Sequence, residues 1–325
     1  MRRPFRRIVT RKADNVQIIR PNIHFDFISK NRMAVILSLI VMLAGIVSIV
    51  SKGGPDYGID FTGGVLIQVQ FNKPAEATDI RDALKELPLG ALTVQRFGDD
   101  TNEYLIRTQE ADSALQQISQ QVSKALEDRF GEGQVEIRRS ETVGSVVGKE
   151  LREKGLLALL YAIAGTLAYI SWRFDFRFAI GAVIALCHDV LVTLGFFSIF
   201  DREIDLTIIA AFLTIIGYSL NDTIVIYDRI RENLGKYPSE GFAAIVNRSL
   251  NEALSRTFLT SGTTLLVVLT LFIFGGAVIN NFAFALLVGI IAGTYSTIFV
   301  ASAVVLFWEQ HRPRKAQTQL PSAGI

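Results

Sequence analysis

Asn221 and Asp222 interrupt a run of apolar residues that is otherwise long enough to cross a membrane. They lie in GYSLNDTIVIYDRIREN (217–233), which follows the apolar stretch LTIIAAFLTII without a turn signal. An ionised carboxylate in a bilayer costs about 2.5 to 3.5 kcal/mol on insertion scales, and such residues usually mark ion or proton pathways. These residue types therefore predict the binding and release of a proton at Asp222. An inert ion pair or a hydrogen bond between helices is the alternative.

Two adjacent polar residues, His188 and Asp189, occupy the middle of a second apolar stretch. Adjacent residues on a helix point about 100° apart, so the two side chains are not expected to face one site. Packing is the favoured interpretation, with an accessory role in proton movement as the alternative.

Arg256 begins a third apolar stretch, which also contains Ser261 and Thr264. We expect Arg256 at a depth where its long side chain can meet Asp222. Desolvation and an adjacent guanidinium act in opposite directions on the charge of a carboxyl group, so small movements could switch its protonation. Membrane topology alone also favours a basic residue at this boundary, and the hydroxyl groups are typical of contacts between helices.

Six stretches approach the length of about 20 apolar residues that a membrane helix needs. They are 33–50, 155–172, 178–200, 206–227, 257–274 and 282–308. Half of the 325 residues are hydrophobic and a fifth are charged, which indicates membrane spans together with a water-soluble part. The sequence thus predicts an α-helical membrane protein with six transmembrane helices.

Lysine and arginine residues are concentrated in alternate links of this arrangement. They are frequent before residue 33, in 173–177, in 229–256 and after 308, whereas the links FDREID and GGAVINN contain only Arg202. The positive-inside rule therefore places both termini in the cytoplasm. The predicted domains are a cytoplasmic segment 1–32, a first span 33–50, an extracytoplasmic domain 51–154, five spans within 155–308 and a cytoplasmic tail 309–325. The basic N-terminal segment lacks the pattern of a cleaved signal peptide.

The segment between the first two spans has the periodicity of a small α+β domain. GVLIQVQF (64–71), ALTVQRFG (91–98), NEYLIRTQ (102–109) and QVEIRRSETVG (134–144) have strand patterns. The stretches 75–88 and 111–131 have helical spacing. The resulting order, β-α-β-β-α-β, predicts a ferredoxin-like domain inserted between helices 1 and 2.

Charge and cysteine usage exclude several classes of function. A net charge of +2 does not suggest binding to nucleic acid, and the single cysteine, Cys187, excludes an internal disulfide. No Cys/His cluster predicts a zinc site, and nothing in the segment 51–154 resembles a catalytic triad or metal site. We expect a protein that is not an enzyme and has no cofactor.

Four sequence motifs occur in a specific order along nearly the whole chain. YGIDFTGG (57–64), ALCHDVLVTLGFFS (185–198), GYSLNDTIVIYDRIREN (217–233) and RTFLTSGTTLLVVL (256–269) resemble the signatures of the SecF family. This family belongs to the bacterial Sec protein translocase and to the resistance-nodulation-division superfamily.

The resemblance implies a partner, SecD, whose membrane part has the same plan. It implies that the pair uses the proton gradient, with protons as the coupling ion, to help draw secreted polypeptides through the SecY channel of the bacterial plasma membrane. The family's proton-relay positions fall on Asp222 and Arg256, with Asn221, His188, Asp189, Ser261 and Thr264 as possible accessory polar residues.

Three other functions remain open from the sequence. A proton-driven exporter of lipids or small molecules would use the same aspartate, but such exporters usually need about twelve spans, so another subunit would supply half. A passive scaffold for translocase assembly is the second. The third, an intramembrane aspartyl protease built on Asp189 and Asp222, would be expected to show YD and GxGD motifs where this chain has HD and ND.

Overall fold

The computed structural model describes residues 24–90, 92–97, 102–108 and 115–311. Most of the predicted N-terminal segment, the tail beyond residue 311 and the first residues of the helix predicted at 111–131 lie outside the described residues. The helices and strands in chain order are α1 (Phe27–Ser51), α2 (Ile59–Thr62), β1 (Gly64–Phe71), α3 (Ala77–Leu84), β2 (Leu92–Arg96), β3 (Glu103–Thr108), α4 (Leu115–Phe130), β4 (Val135–Val143), α5 (Ser145–Arg173), α6 (Phe176–Ile199), α7 (Leu206–Lys236), α8 (Phe242–Phe274), α9 (Gly276–Ser296), a π-helical turn (Thr297–Ala301) and α10 (Ser302–Gln310).

Six helices within the described residues are long and apolar enough to cross a membrane. They are α1, α5, α6, α7, α8 and the continuous helix formed by α9, the π-helical turn and α10. Helix α6 and the continuous helix from α9 to α10 are the most buried, whereas α1, α5 and α8 are the least buried. The prediction of six membrane helices with an inserted domain is confirmed. The two ends of the bundle are called here the domain side, where the inserted domain attaches, and the far side.

Several helices continue past the predicted limits of the apolar spans. Helix α5 begins at Ser145 and α8 at Phe242, ten and fifteen residues before the expected starts at 155 and 257. Helix α7 runs on to Lys236, where Arg229 Nη1 lies 2.8 Å from Glu232 Oε2 one turn along the helix. Hydropathy marks only the apolar part of a helix, so these polar extensions fall outside the predicted spans. The predicted domain boundary at residue 154 therefore falls inside one continuous helix.

The inserted domain has the predicted β-α-β-β-α-β order. Its four strands form one antiparallel sheet in the order β2-β3-β1-β4. Side chains alternate along β1 and β3, and the inward ones, such as Ile67 and Ile106, pack with Ile80 of α3 and Val122 of α4. This core is separate from the apolar clusters of the membrane helices, and the ferredoxin-like assignment is confirmed.

Two glycines form the junction between the membrane part and β1. Gly63 and Gly64 both have positive φ angles, 74° and 124°, which other residues adopt only at a cost. A Cβ atom on Gly63 would also lie 2.5 Å from Ser145 Cα, and one on Gly148 would lie 2.9 Å from Gly63 N. The GG pair therefore lets the entry to β1 pack directly against the start of α5.

Candidate functional site

A polar layer crosses the membrane bundle between two apolar clusters. On the domain side, α7 contributes Ile208 and Ile215 to one cluster, and on the far side it contributes Ile226 and Ile230 to the other. Polar side chains lie between these clusters on four helices. The polar layer consists of His188 and Asp189 on α6, Ser219, Asp222 and Thr223 on α7, Ser261 on α8, Thr294 and Ser296 on α9, and Thr297 at the start of the π-helical turn.

Asp222 is buried in this layer, with 3% of its surface exposed. Its Oδ2 accepts a hydrogen bond from Ser261 Oγ at 3.3 Å, and Ser261 Oγ in turn accepts one from Thr294 Oγ1 at 3.0 Å. Within the described residues this is the one side-chain hydrogen bond to the carboxylate. An ionised carboxylate has about four acceptor positions, so Asp222 retains capacity to take up a proton.

The register between α7 and α8 explains why Ser261 is the partner of Asp222. The two helices are antiparallel, and hydrogen bonds join Tyr218 Oη to Thr264 Oγ1 at 3.2 Å and Asn233 Nδ2 to Ser249 Oγ at 3.0 Å. One contact lies before Asp222 along α7 and the other after it, so together they fix which residue of α8 lies opposite Asp222. Thr264 therefore bonds to Tyr218 and does not reach Asp222.

Arg256 does not form the expected ion pair with Asp222. In the part of the chain that is described, no nitrogen of Arg256 lies within 4.0 Å of a carboxylate oxygen. Arg256 is exposed, whereas Thr257 beside it is buried, so the arginine lies on the outward face of α8.

Asp189 is the most buried carboxylate of the layer, with 0% exposure. Its Oδ2 accepts hydrogen bonds from Ser219 Oγ of α7 at 2.7 Å and from Ser296 Oγ of α9 at 2.9 Å. Space for this arrangement depends on Gly293, where a Cβ atom would lie 3.2 Å from Ser219 Oγ and 3.4 Å from Asp189 Oδ2. Asp189 thus joins α6, α7 and α9.

His188 and Asp189 contact each other, which their separation on the helix did not predict. His188 Nδ1 lies 3.0 Å from Asp189 Oδ1, and the imidazole ring stacks on Tyr295 with the ring centroids 6.4 Å apart. The side chains leave the helix in different directions, but the imidazole ring is long enough to turn back towards the carboxylate. His188 therefore completes the set of partners of Asp189.

Asn221 lies on the opposite side of α7 from the polar layer. It is exposed, whereas the neighbouring Asp222 and Thr223 are buried. Gly217 and Thr214, one and two turns before Asn221, are exposed on the same face. Asn221 is thus available to a partner outside this chain and takes no part in holding Asp222.

The two buried carboxylates of the layer have separate partners. Asp222 is bonded to Ser261 and Asp189 to Ser219 and Ser296, and among the described residues no hydrogen bond joins one carboxylate to the other. A pair of catalytic aspartates that shares one proton needs direct contact. The arrangement does not support the aspartyl protease alternative.

Five members of the layer were not singled out by the sequence analysis: Ser219, Thr223, Thr294, Ser296 and Thr297. Isolated hydroxyl residues are common in membrane helices, so the sequence carries no signal that separates these from others. Only their convergence at one level of the bundle identifies them. No group of three or more His, Cys, Asp or Glu within the described residues could hold a metal ion.

Comparison with protein-family models identifies two matching regions. The model described as protein export membrane protein SecD/SecF, C-terminal, matches residues 121–311, which include the polar layer. The model described as the SecD/SecF GG motif matches residues 47–75, which include the Gly63–Gly64 junction.

Curated relatives match the chain over nearly its full length. Proteins named protein translocase subunit SecF are 49% identical over 307 residues in Magnetococcus marinus (94% of this chain, 98% of the relative), 47% identical over 291 residues in Vibrio alginolyticus (89% and 91%), and 40% identical over 302 residues in Escherichia coli O157:H7 (92% and 93%).

Two solved structures of SecDF have a similar fold. One is the crystal structure of SecDF, a translocon-associated membrane protein, from Thermus thermophilus, with a TM-score of 0.81 and 34% identity. The other, SecDF in a super-membrane-facing form, has a TM-score of 0.66 at the same identity. Each match covers 90% of this chain, but this chain spans only 40% and 39% of the length of the SecDF chains. Together, the matched models, the relatives and the shared fold show that this chain belongs to the SecD/SecF family of protein export membrane proteins.

Proposed function

We propose that this chain works as the SecF subunit of the Sec translocase and, with SecD, uses the proton motive force to promote polypeptide export. The observation that carries the proposal is the environment of Asp222. This carboxylate is buried in the polar layer, accepts one side-chain hydrogen bond among the described residues, from the hydroxyl of Ser261, and retains free acceptor capacity. We propose no enzymatic activity and no cofactor, with protons as the coupling ion.

In this proposal the residues around Asp222 have different roles. Asp222 binds and releases the proton, and Ser261, itself bonded to Thr294, orients the carboxylate. We assign Arg256 a longer-range electrostatic role, because this arginine lies on the outward face of α8 and is not in an ion pair with Asp222. A small displacement of α8 relative to α7 would change both influences and so the proton affinity of Asp222.

The exposed face of α7 supports a partner within the membrane. Asn221 carries an amide that lipid cannot satisfy, and Thr214 and Gly217 continue the same small or polar stripe. Such stripes favour close contact between membrane helices. The chain also corresponds to about two fifths of the SecDF chain that it resembles. We therefore assign this face to SecD, and further partners to the SecY-containing translocon and the secreted polypeptide.

The direction of the proton gradient fits the proposed orientation. Both termini would lie in the cytoplasm, and the inserted domain would lie outside the bacterial plasma membrane, where the exported chain emerges. Moving one charge across 100 mV provides about 2.3 kcal/mol. This is comparable with the few kcal/mol that separate typical conformational states, so proton movement through Asp222 is sufficient to shift the bundle.

The experiment compares Asp222→Asn with Asp228→Asn in membrane vesicles that contain the complex. Asparagine keeps the size of aspartate but cannot carry the proton, so Asp222→Asn should abolish the stimulation of export by a proton gradient. Asp228 lies two turns further along α7, is exposed and pairs with Arg173 at 3.4 Å, which makes Asp228→Asn the matched control.

The readout is completion of a late translocation intermediate with and without the gradient, together with co-purification of SecD. We expect loss of stimulation in Asp222→Asn at unchanged assembly, and full stimulation in Asp228→Asn. Undiminished stimulation in Asp222→Asn would instead favour a passive scaffold.

A further inference from the structure

We propose that Arg107 of the inserted domain is a positioning residue that holds this domain against the domain-side end of α7, the helix that carries Asp222. The proposed consequence for export rests on the function proposed above, whereas the contact itself does not. The contact joins the part of the molecule outside the membrane to the helix of the proton site.

Arg107 lies on the face of the sheet that the domain's own helices leave uncovered. Along β3 the buried residues Tyr104, Ile106 and Thr108 point to the core, so Arg107 points to the opposite face. The register places Arg107 opposite Leu66, two residues after β1 emerges from the GG junction. Arg107 is therefore at the end of the sheet nearest the membrane.

The guanidinium of Arg107 contacts two carboxylates that lie outside the sheet. One of its terminal nitrogens pairs with Glu203 and also donates to Gln95 Oε1 at 2.9 Å, and the other lies 3.9 Å from Asp56 Oδ1. The side chains of Arg107 and Glu203 are only 12% and 15% exposed. A shielded ion pair of this kind is strongly sensitive to loss of one partner, because the other charge is then left desolvated.

Glu203 and Asp56 belong to two segments that are bonded to each other at the start of α7. Ile204 N donates to Asp56 O at 2.8 Å, and Gly58 N donates to Ile204 O at 2.9 Å. Asp60 Oδ2 then accepts a hydrogen bond from Leu206 N, the first residue of α7, at 2.9 Å. Through these contacts Arg107 is connected to the first turn of α7.

A continuous helix connects this group of contacts to the proton site. Helix α7 runs without interruption from Leu206 to Asp222 and beyond, a distance of about 24 Å at 1.5 Å per residue. A helix of this length moves as a rigid element, so a displacement of its first turn also moves Asp222 relative to Ser261. Arg107 is the point at which the position of the inserted domain acts on that first turn.

The test of the contact uses the full chain in lipid nanodiscs and compares Arg107→Gln with Arg138→Gln. Arg138 is an exposed arginine of the same sheet whose partners, Gln70 and Glu136, lie within the inserted domain. Hydrogen exchange is measured at the amides of Ile204 and Leu206. We expect Arg107→Gln to accelerate exchange at both amides by about tenfold, which corresponds to about 1.4 kcal/mol, and Arg138→Gln to leave it unchanged.

Swapping the charges of Arg107 and Glu203 distinguishes the loss of this contact from general damage to the fold. Arg107→Glu and Glu203→Arg should each accelerate exchange at the two amides, and the double variant should restore protection at least partly. Unchanged exchange in Arg107→Gln, or a double variant no better protected than either single one, would overturn the assignment of Arg107.

The link to export is tested in the complex with SecD by gradient-stimulated export in the same variants. We expect Arg107→Gln to reduce the stimulation severalfold and the double variant to recover it. If wild type shows no gradient stimulation, the proposed function fails while the exchange result still decides the contact. Full stimulation in an Arg107→Gln variant with accelerated exchange would overturn the coupling role.

Discussion

At the scale of single residues, Asp189 and Asp222 differ in how fully their carboxylates are hydrogen-bonded. Asp189 accepts bonds from Ser219 and Ser296 and also contacts His188 Nδ1, whereas Asp222 accepts one bond from Ser261. A carboxylate with three partners is held in place, and one with a single partner is free to change partner or charge. For this reason our proposal assigns the proton to Asp222 and not to Asp189.

A direct prediction follows for Asp189, which we expect to stabilise the bundle without carrying the proton. Asp189→Ala leaves the Ser219 and Ser296 hydroxyls and His188 Nδ1 without their partner. At about 0.6 kcal/mol for each hydrogen bond within a membrane, the loss of three bonds should lower the free energy of unfolding by about 2 kcal/mol. Unfolding of the purified chain in detergent measures this loss.

Asp189→Asn is the informative companion to that variant. Its amide can still bond to two serine hydroxyls, which rotate to accept, so stability and gradient-stimulated export should both be largely retained. A stable Asp189→Asn protein without gradient stimulation would mean that Asp189 itself takes part in the relay.

Sequence alone could identify the two aspartates but not their partners. A carboxylate in an apolar span is unusual enough to be noticed, and this was sufficient for Asp189 and Asp222. The pairing of Asp222 with Ser261 depends on the register between α7 and α8, which no single sequence contains. Arg107 has no such signal, because an arginine at an outward strand position is ordinary and only the fold brings Glu203 beside it.

At the scale of elements, close packing in the bundle depends on glycines that allow backbones to touch. Gly45 of α1 and Gly195 of α6 lie against each other, and a Cβ atom on either would lie 2.7 to 2.8 Å from the Cα atom of the other. Such contacts between small residues hold membrane helices together. The peripheral helix α1 is thus fixed to the buried helix α6 at a point where no side chain fits.

We expect Gly195→Ala to separate α1 from α6 and to destabilise the protein. Forcing a methyl group into a closed contact costs about 1 to 3 kcal/mol, which should appear as a lower midpoint of thermal unfolding. Gly165→Ala is the control, since nothing lies within 4 Å of a Cβ atom on Gly165, and alanine favours the helix. Equal midpoints for the two variants would contradict the proposed role of this contact.

The type and order of the elements were predictable, but their full extent was not. Apolar runs and strand alternation are local signals, so six spans and the β-α-β-β-α-β order could be predicted from them. The early starts of α5 at Ser145 and α8 at Phe242 were not predictable from hydropathy, because charged residues interrupt their first segments, SVVGKELREK and FAAIVNRSLNEALSR. The π-helical turn at Thr297, directly after the polar layer, likewise has no local signal.

At the scale of the whole molecule, two bodies with separate cores are joined at the start of α7 and at the GG junction. The core of the inserted domain lies between its sheet and its two helices. The polar layer lies between the two main apolar clusters of the bundle. The Arg107–Glu203 pair connects the two bodies. If the inserted domain moves an exported chain, as we propose, then a change in the charge of Asp222 must first displace α7.

The central claim, that Asp222 carries protons through the complex, is tested most directly by proton flux. Vesicles that contain the chain and SecD are loaded with a pH-sensitive dye, and a pH gradient is imposed across the membrane. We predict a flux with wild type and Asp228→Asn that falls in Asp222→Asn to the level of vesicles without protein. A flux in Asp222→Asn equal to that of wild type would contradict the account.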